Sequence, residues 1–165
     1  MAFIAGVGIM TIDLTVKAIS AIGTSTAGIY SIIDSISYFK RHDVNSLLIE
    51  LDIQEHIKVL LSLLNEINLD KHHTQTLALC VGQLRDSIVD IEKELIKTHT
   101  RLNYNNSLWI KTFRTYNFDD IIATLKILNM QLNNRKNMLF EILKINSDLD
   151  TNKNMKIIND VIELE

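Results

Sequence analysis

Between Leu77 and Leu102 the apolar residues fall at nearly unbroken steps of four and three: Leu77, Val81, Leu84, Ile88, Ile91, Leu95 and Leu102, with Thr98 as the polar insertion. A stripe that recurs about every 3.5 residues stays on one side of an α-helix, whereas a strand, with its period of two, would scatter it over both faces. The opposite face carries Arg85, Asp86, Asp90, Glu92, Lys93, Glu94 and Lys97. Residues 74–102 are therefore expected to form one helix, about 45 Å long, whose stripe other helices must cover.

The other segments repeat the theme. Val44, Leu47, Leu48, Leu51, Ile57, Leu60, Leu61, Leu64 and Ile67 predict a single helix over 44–67, with Asp43 as its N-cap. "NLDKHHT" reads as a polar loop. The stretch "NYNNSLWIKTFRTYN" (103–117) breaks the periodicity, and its asparagines at 103, 105 and 106 favour a turn. From an N-cap at Asn117, with Asp119 and Asp120 in the first turn, the next helix is expected to run to about Ile145. Its stripe is Phe118, Ile121, Ile122, Leu125, Leu128, Leu132, Leu139, Ile142 and Leu143. Arg135 takes a stripe position, where its stem can pack while its head reaches water. After "NSDLDTNKN" a short last helix is expected near 153–163. The chain has no proline and five glycines, so few breaks are forced, and 47% hydrophobic residues suffice for a core. The expected fold is all-α: one domain (1–165), an antiparallel four-helix bundle. It comprises a long apolar N-terminal helical segment (1–39), three amphipathic helices (40–147) and a short extra C-terminal helix (148–165).

The first 39 residues differ from the rest. They hold three charges, Asp13, Lys17 and Asp34, against 34 in the remaining 126, and four of the five glycines lie within the first 28 positions. Helical spacing persists through Ile9, Ile12, Val16 and Ile19, and again through Ile22, Ile29, Ile32, Ile33 and Ile36, but the other face is Ala, Gly, Ser and Thr. Such a helix can be covered on most sides, or can face lipid, at little cost. Asp13 and Lys17 stand four apart and can neutralise each other. A secretory signal needs basic residues ahead of its apolar core, and here Met1 and Ala2 alone precede Phe3. A permanent span needs about 20 apolar residues, a run that Asp13 and Lys17 interrupt. Two readings remain: a buried first helix, or a helix that leaves the bundle for lipid. The membrane-insertion candidates are Phe3, Ile4, Ile9, Ile12, Asp13, Val16, Lys17, Ile19 and Ile22.

Chemistry is sparse. There is no Gly-rich phosphate loop, no Ser/His/Asp set, no zinc spacing and no Glu-x-x-His pair. His72 and His73 would point about 100° apart on a helix, with no Cys or His three or four positions further on. Cys80, in "LALCV" without a basic neighbour, reads as a small buried hydrophobe; a single cysteine fits a reducing compartment. Asp119 and Asp120 are accounted for by a helix N-terminus. A net charge of −3 without a basic block argues against nucleic acid. No catalytic residue, metal or cofactor is expected, and the chain reads as a non-enzyme. Trp109, Phe113 and Tyr116, with Phe118, cluster before the last long helix; they are candidates for a partner surface or for covering the bundle end.

Taken together, the apolar start "AFIAGVGIMTIDLTVKAISAIG", then "AGIYSIIDSISYF", the Leu-rich second helix, the long charged third helix, the aromatic "LWIKTFRTYNF" and "DDIIATLKILNMQLNNRKNMLFEIL" resemble the HeLo and HeLo-like helical bundles of cell-death signalling. Distant relatives of these are the mixed lineage kinase domain-like proteins. The resemblance covers about residues 2–145 and rests on pattern and helix order. It implies a bundle whose first helix targets and permeabilises membranes after oligomerisation, switched on by a neighbouring domain. The expected partners are a lipid membrane, further copies of the chain and a protein partner. The expected location is the cytoplasm, with peripheral or conditional membrane association. The competing expectation is a soluble structural or interaction bundle with residues 2–39 as core or interface.

Overall fold

The computed structural model describes the backbone of residues 2–69, 74–107 and 117–162, and the side chains of 12–69, 74–107, 117–149 and Thr151. Among the described residues every regular element is helical. The elements are α1 (Ala2–Ser37), α2 (His42–Leu51), α3 (Ile53–Glu66), α4 (Gln75–Ser107) and α5 (Asp119–Ile162).

α1 is one unbroken helix. It closes with Phe39 N–H on the Ile36 carbonyl and Lys40 N–H on the Ser37 carbonyl, and Lys40 adopts the left-handed conformation (φ 51°) that terminates helices. The helix expected over 44–67 is two helices. Asp52, at φ 47° and ψ 38°, is the last cap of α2 and the first of α3. Aspartate tolerates this conformation better than a branched residue does. The break lets Ile53 as well as Ile57 reach the core, which bridges the six-residue gap between Leu51 and Ile57 that an unbroken helix would have left in the stripe. Asp43 is not the N-cap: Arg41 holds that position, and Asp43 sits in the first turn, hydrogen-bonded to the Arg41 guanidinium.

α4 begins at a Thr74 cap, whose hydroxyl accepts the Leu77 N–H at 3.1 Å. It does not stop at 102 but continues through Asn103, Asn105 and Asn106 to Ser107. Asparagine costs a helix less than about 0.7 kcal/mol per residue, too little to end one that packing supports. The same reason corrects the other end of the chain. α5 runs through "NSDLDTNKN" to Ile162, so the short extra C-terminal helix is the continuation of α5. Without Gly or Pro the stretch contains no breaker, and Thr151 donates back to the Ser147 carbonyl at 3.0 Å. At the start of α5 the Asn117 side chain accepts the Asp119 N–H at 2.6 Å, close to the expected cap.

The helices pack as a bundle around one continuous core. α4 is its central member, with α1 and α5 each packed chiefly on α4 and with α2 and α3 against both. Every stripe residue of α4 from Leu77 to Leu102 is buried, and so is Thr98, whose hydroxyl donates to the Glu94 carbonyl. Each fully buried Leu or Ile contributes about 1.5–3 kcal/mol. Two polar placements differ from expectation. Arg135 is half-buried and its head is held on α4: Nη1 donates to the Gln83 carbonyl at 2.6 Å and to Ser87 Oγ at 2.5 Å. Glu94, placed on the charged face, is buried, and Lys97 closes over it at 2.7 Å. Ser87 and Glu94 lie one and two heptads beyond Cys80, so α4 buries a second line of residues beside its Leu stripe.

Candidate functional site

The segment with the most unusual composition is α1, and its faces follow from which residues meet α4. The buried line is Thr15, Ala18, Ile22, Ser25, Thr26, Ile29 and Ile36. It alternates small polar residues with isoleucines at heptad spacing, so the backbones of α1 and α4 can approach closely. Gly28 marks the approach, since a Cβ at that position would run into the Glu92 carboxylate. Tyr30 donates its phenol to the Gln54 carbonyl at 3.0 Å, tying α1 to α3; burial, together with the charge of Glu55, pushes that phenol above its ordinary pKa.

The insertion candidates divide between the faces. Ile22 is buried, Ile12 and Ile19 are half-buried, and Val16 is 49% exposed. Leu14, absent from the candidate set, is 61% exposed. Phe3, Ile4 and Ile9 belong to α1, and their side chains lie outside the described residues. The stripe read from Ile12, Val16 and Ile19 thus lies at the edge of the core face, whose centre passes through Thr15 and Ala18. Asp13 and Lys17 form the expected pair at 2.7 Å, and both are exposed. Between Lys17 and Asp34 the outer face is Ser20, Gly23, Thr24, Ala27 and Ser31, without a charge. Thr24, Thr26 and Ser35 donate their hydroxyls to carbonyls four residues earlier in their own helix, so these groups need no external partner. Ile12–Ser37 is the one stretch among the described residues long and apolar enough to cross a membrane, and 28% of its most apolar window is buried in the bundle.

The partner-surface candidates Trp109, Phe113 and Tyr116 lie outside the described residues, as do His72 and His73. Their neighbour Phe118 is buried, with the Arg41 guanidinium 5.1 Å and the Arg101 guanidinium 5.4 Å from its ring centre. Arg41 is held by Asp43, and Arg101 by both carboxylate oxygens of Asp120 at 3.0 Å. Phe39 meets His99 edge-on beside them. This knot joins the turn after α1, the end of α4 and the start of α5. No sequence pattern announces it, because the five residues of its core come from three separate segments. Cys80 is buried as expected but has a basic neighbour after all: burial pushes its thiol pKa up, and Arg135 offsets this in part. A buried thiol of that kind is a poor nucleophile. A cleft of about 370 Å³ opens at the α2–α3 break, lined by Ile33, Ser37, Asn45, Leu48, Asp52 and Ile53. Among the described residues no group of three His, Cys, Asp or Glu could hold a metal ion.

One relative is a protein of uncharacterised function from Acanthamoeba polyphaga mimivirus, 27% identical over an alignment that spans 90% of this chain and 84% of the relative. No family model matches the chain, and no solved structure matches it significantly.

Proposed function

We propose that this protein is a non-enzymatic, antiparallel four-helix bundle, with α2 and α3 as one bent helix, that meets lipid membranes through α1. The observation that carries the reading is the position of α1 against its scaffold. Gly28 lies beside Glu92, and Phe39 beside His99, so α1 and α4 run in the same direction. Arg101 pairs with Asp120 and Arg135 with Ser87, so α5 runs the opposite way. By these two pairs Gln75, the first residue of α4, comes level with α1 between Thr11 and Thr15. The backbone of α1 then extends past the start of α4, and just behind that extension Leu14 and Val16 are exposed. Apolar side chains that the core does not enclose, such as Leu14 and Val16, gain by entering an interface, at about 0.8 kcal/mol per buried methylene. Asp13 and Lys17, already paired, stand where the apolar turns end. This is the behaviour implied by the likeness to HeLo-like bundles, and with it go self-association and a cytoplasmic protein that binds membranes conditionally.

Flotation of the full chain with phosphatidylcholine vesicles containing phosphatidylserine tests the reading, with dye leakage as a second readout. The wild type is expected to float, and Ile4→Asp to stay at the bottom of the gradient with the same circular dichroism spectrum. A wild type that ignores vesicles, or an Ile4→Asp variant that floats equally, removes the lipid role.

The second reading, a soluble interaction module, is favoured by a different observation: the uncharged outer face of α1 from Ser20 to Ser31, made of small residues that another helix could approach closely. Ala27→Arg, on that face, would then abolish partner binding while leaving vesicle flotation unchanged.

A further inference from the structure

We propose that the cleft at the α2–α3 break is a binding site for a small organic amine, one ammonium group on a compact apolar body. The inference does not depend on α1 meeting lipid. The cleft follows from the break. Asp52, in the left-handed conformation, turns the chain between α2 and α3, and α1 closes the remaining side with Ile33 and Ser37. Its volume of about 370 Å³ falls within the range of about 300–1,000 Å³ for small-molecule sites. Leu48 and Ile53 are buried and Ile33 is half-buried, which makes an apolar floor. Ile49, at the same cleft, is 81% exposed and would gain cover from an apolar occupant.

The polar groups select the charge of that occupant. Among the described residues Asp52 is the one charged member of the lining, and its carboxylate makes no capping hydrogen bond and meets no cation. The acids nearest to it in sequence are already taken: Glu50 pairs with Lys126 and Glu55 with Lys58, each at 3.2 Å. Asn45 adds an acceptor, its Oδ1 buried without a hydrogen-bond partner among the described residues. Ser37 donates its hydroxyl to the Asp34 carbonyl at 2.6 Å, so its oxygen is left to accept. Gln54 brings both a donor and an acceptor. A carboxylate with further acceptors and no basic residue favours a hydrogen-bond donor that carries positive charge, and disfavours an anion. A bare metal ion would lack the ring of oxygen ligands it needs and would leave the apolar floor uncovered. An amine with an apolar body meets both parts.

Titration of the isotope-labelled full chain with phenylethylamine, followed by the NMR shifts of its backbone amides, tests the site. Saturable shifts are expected at Ile33, Asn45, Asp52 and Ile53. Phenylacetate, with the same ring and the opposite charge, is expected to cause none there. This comparison uses the wild type and is independent of any variant's folding. Asp52→Asn removes the charge and keeps a residue that tolerates the left-handed conformation, and it should weaken phenylethylamine binding about tenfold. Cleft amides that do not shift with phenylethylamine overturn the proposal. So does phenylacetate bound there as tightly, or a folded Asp52→Asn variant of unchanged affinity.

Discussion

The side-chain amide of Asn129 in α5 donates to the carbonyl of Leu51 at 3.0 Å, across 78 positions of sequence. Leu51 ends α2, and the left-handed Asp52 after it removes the partner its carbonyl would have had in a continuous helix. Asn129 replaces that partner, and its Oδ1 stands 3.5 Å from His56 Nδ1 on the far side of the break. One buried amide on α5 therefore holds both halves of the bent helix. Asn129→Ala is expected to cost about 1–3 kcal/mol, because it leaves a buried carbonyl unsatisfied. Urea denaturation should show a lower midpoint with an unchanged slope. Asn134→Ala, on the exposed side of α5, should move the midpoint by less than about 0.5 kcal/mol.

Thr98 is fully buried within the Leu stripe of α4, and its hydroxyl bonds to the Glu94 carbonyl in its own helix. Valine has the same shape without the polar group, and the Glu94 carbonyl keeps its ordinary helical acceptor role. Thr98→Val is expected to be neutral or to stabilise by up to about 1 kcal/mol. A thermal melt checks it, and a clear loss of stability would mean that the hydroxyl serves a group other than Glu94.

Gly23 lies on the exposed face of α1, and a Cβ there would meet nothing within 4 Å. Gly23→Ala should therefore stabilise the bundle by about 0.5–1 kcal/mol, the usual gain for replacing a glycine in a helix interior. Gly28→Ala should gain less, since the flexible Glu92 carboxylate must swing aside. Chemical denaturation of both variants gives the order directly.

Acid should loosen the Phe118 knot. Hydrogen bonds from Arg41 outweigh partial burial and hold the Asp43 carboxyl below the usual range. For Asp120, desolvation acts upward, but Arg101 and the first N–H groups of α5 outweigh it, so its pKa is also lowered. With native values below the unfolded value of about 3.9, the native state binds fewer protons, so this contribution is complete above the unfolded value and is lost as pH falls through the native ones. Urea midpoints should thus show no pH dependence from these groups between about pH 5 and 7, and fall below about pH 4. The exposed Arg41–Asp43 pair should account for less than about 1 kcal/mol. Asp43→Asn combined with Asp120→Asn should flatten the acid limb; an unchanged slope would remove the knot as its source.

How far the residues alone could be read depended on whether the deciding contact was local. The α4 stripe and the Asp13–Lys17 pair were legible because each depends on spacing within one helix. The Asn117 cap was equally local. The ends of α4 and α5 were misjudged for the opposite reason. Asparagine and aspartate favour turns by a few tenths of a kcal/mol, and tertiary packing overrides that amount. The break at Asp52 left a trace, the six-residue gap from Leu51 to Ile57, but only the packing of Ile53 into the core made the trace meaningful.

By itself, then, the sequence determined that this protein is helical, that α4 must be surrounded, and that its first 39 residues carry little charge. Periodicity and composition suffice for that, because a helix has one geometry whatever it packs against. Only the tertiary structure decided which residues of α1 meet the core and where the polar side chains of α4 and α5 go. α1 turns Thr15 and Ala18 inward and Val16 outward because small residues let it lie close against α4. Arg135 is held on α4 because Ser87 and the Gln83 carbonyl receive it. α5 leaves Ile127, Met130 and Met138 exposed because α4, α2 and α3 pack against its other side.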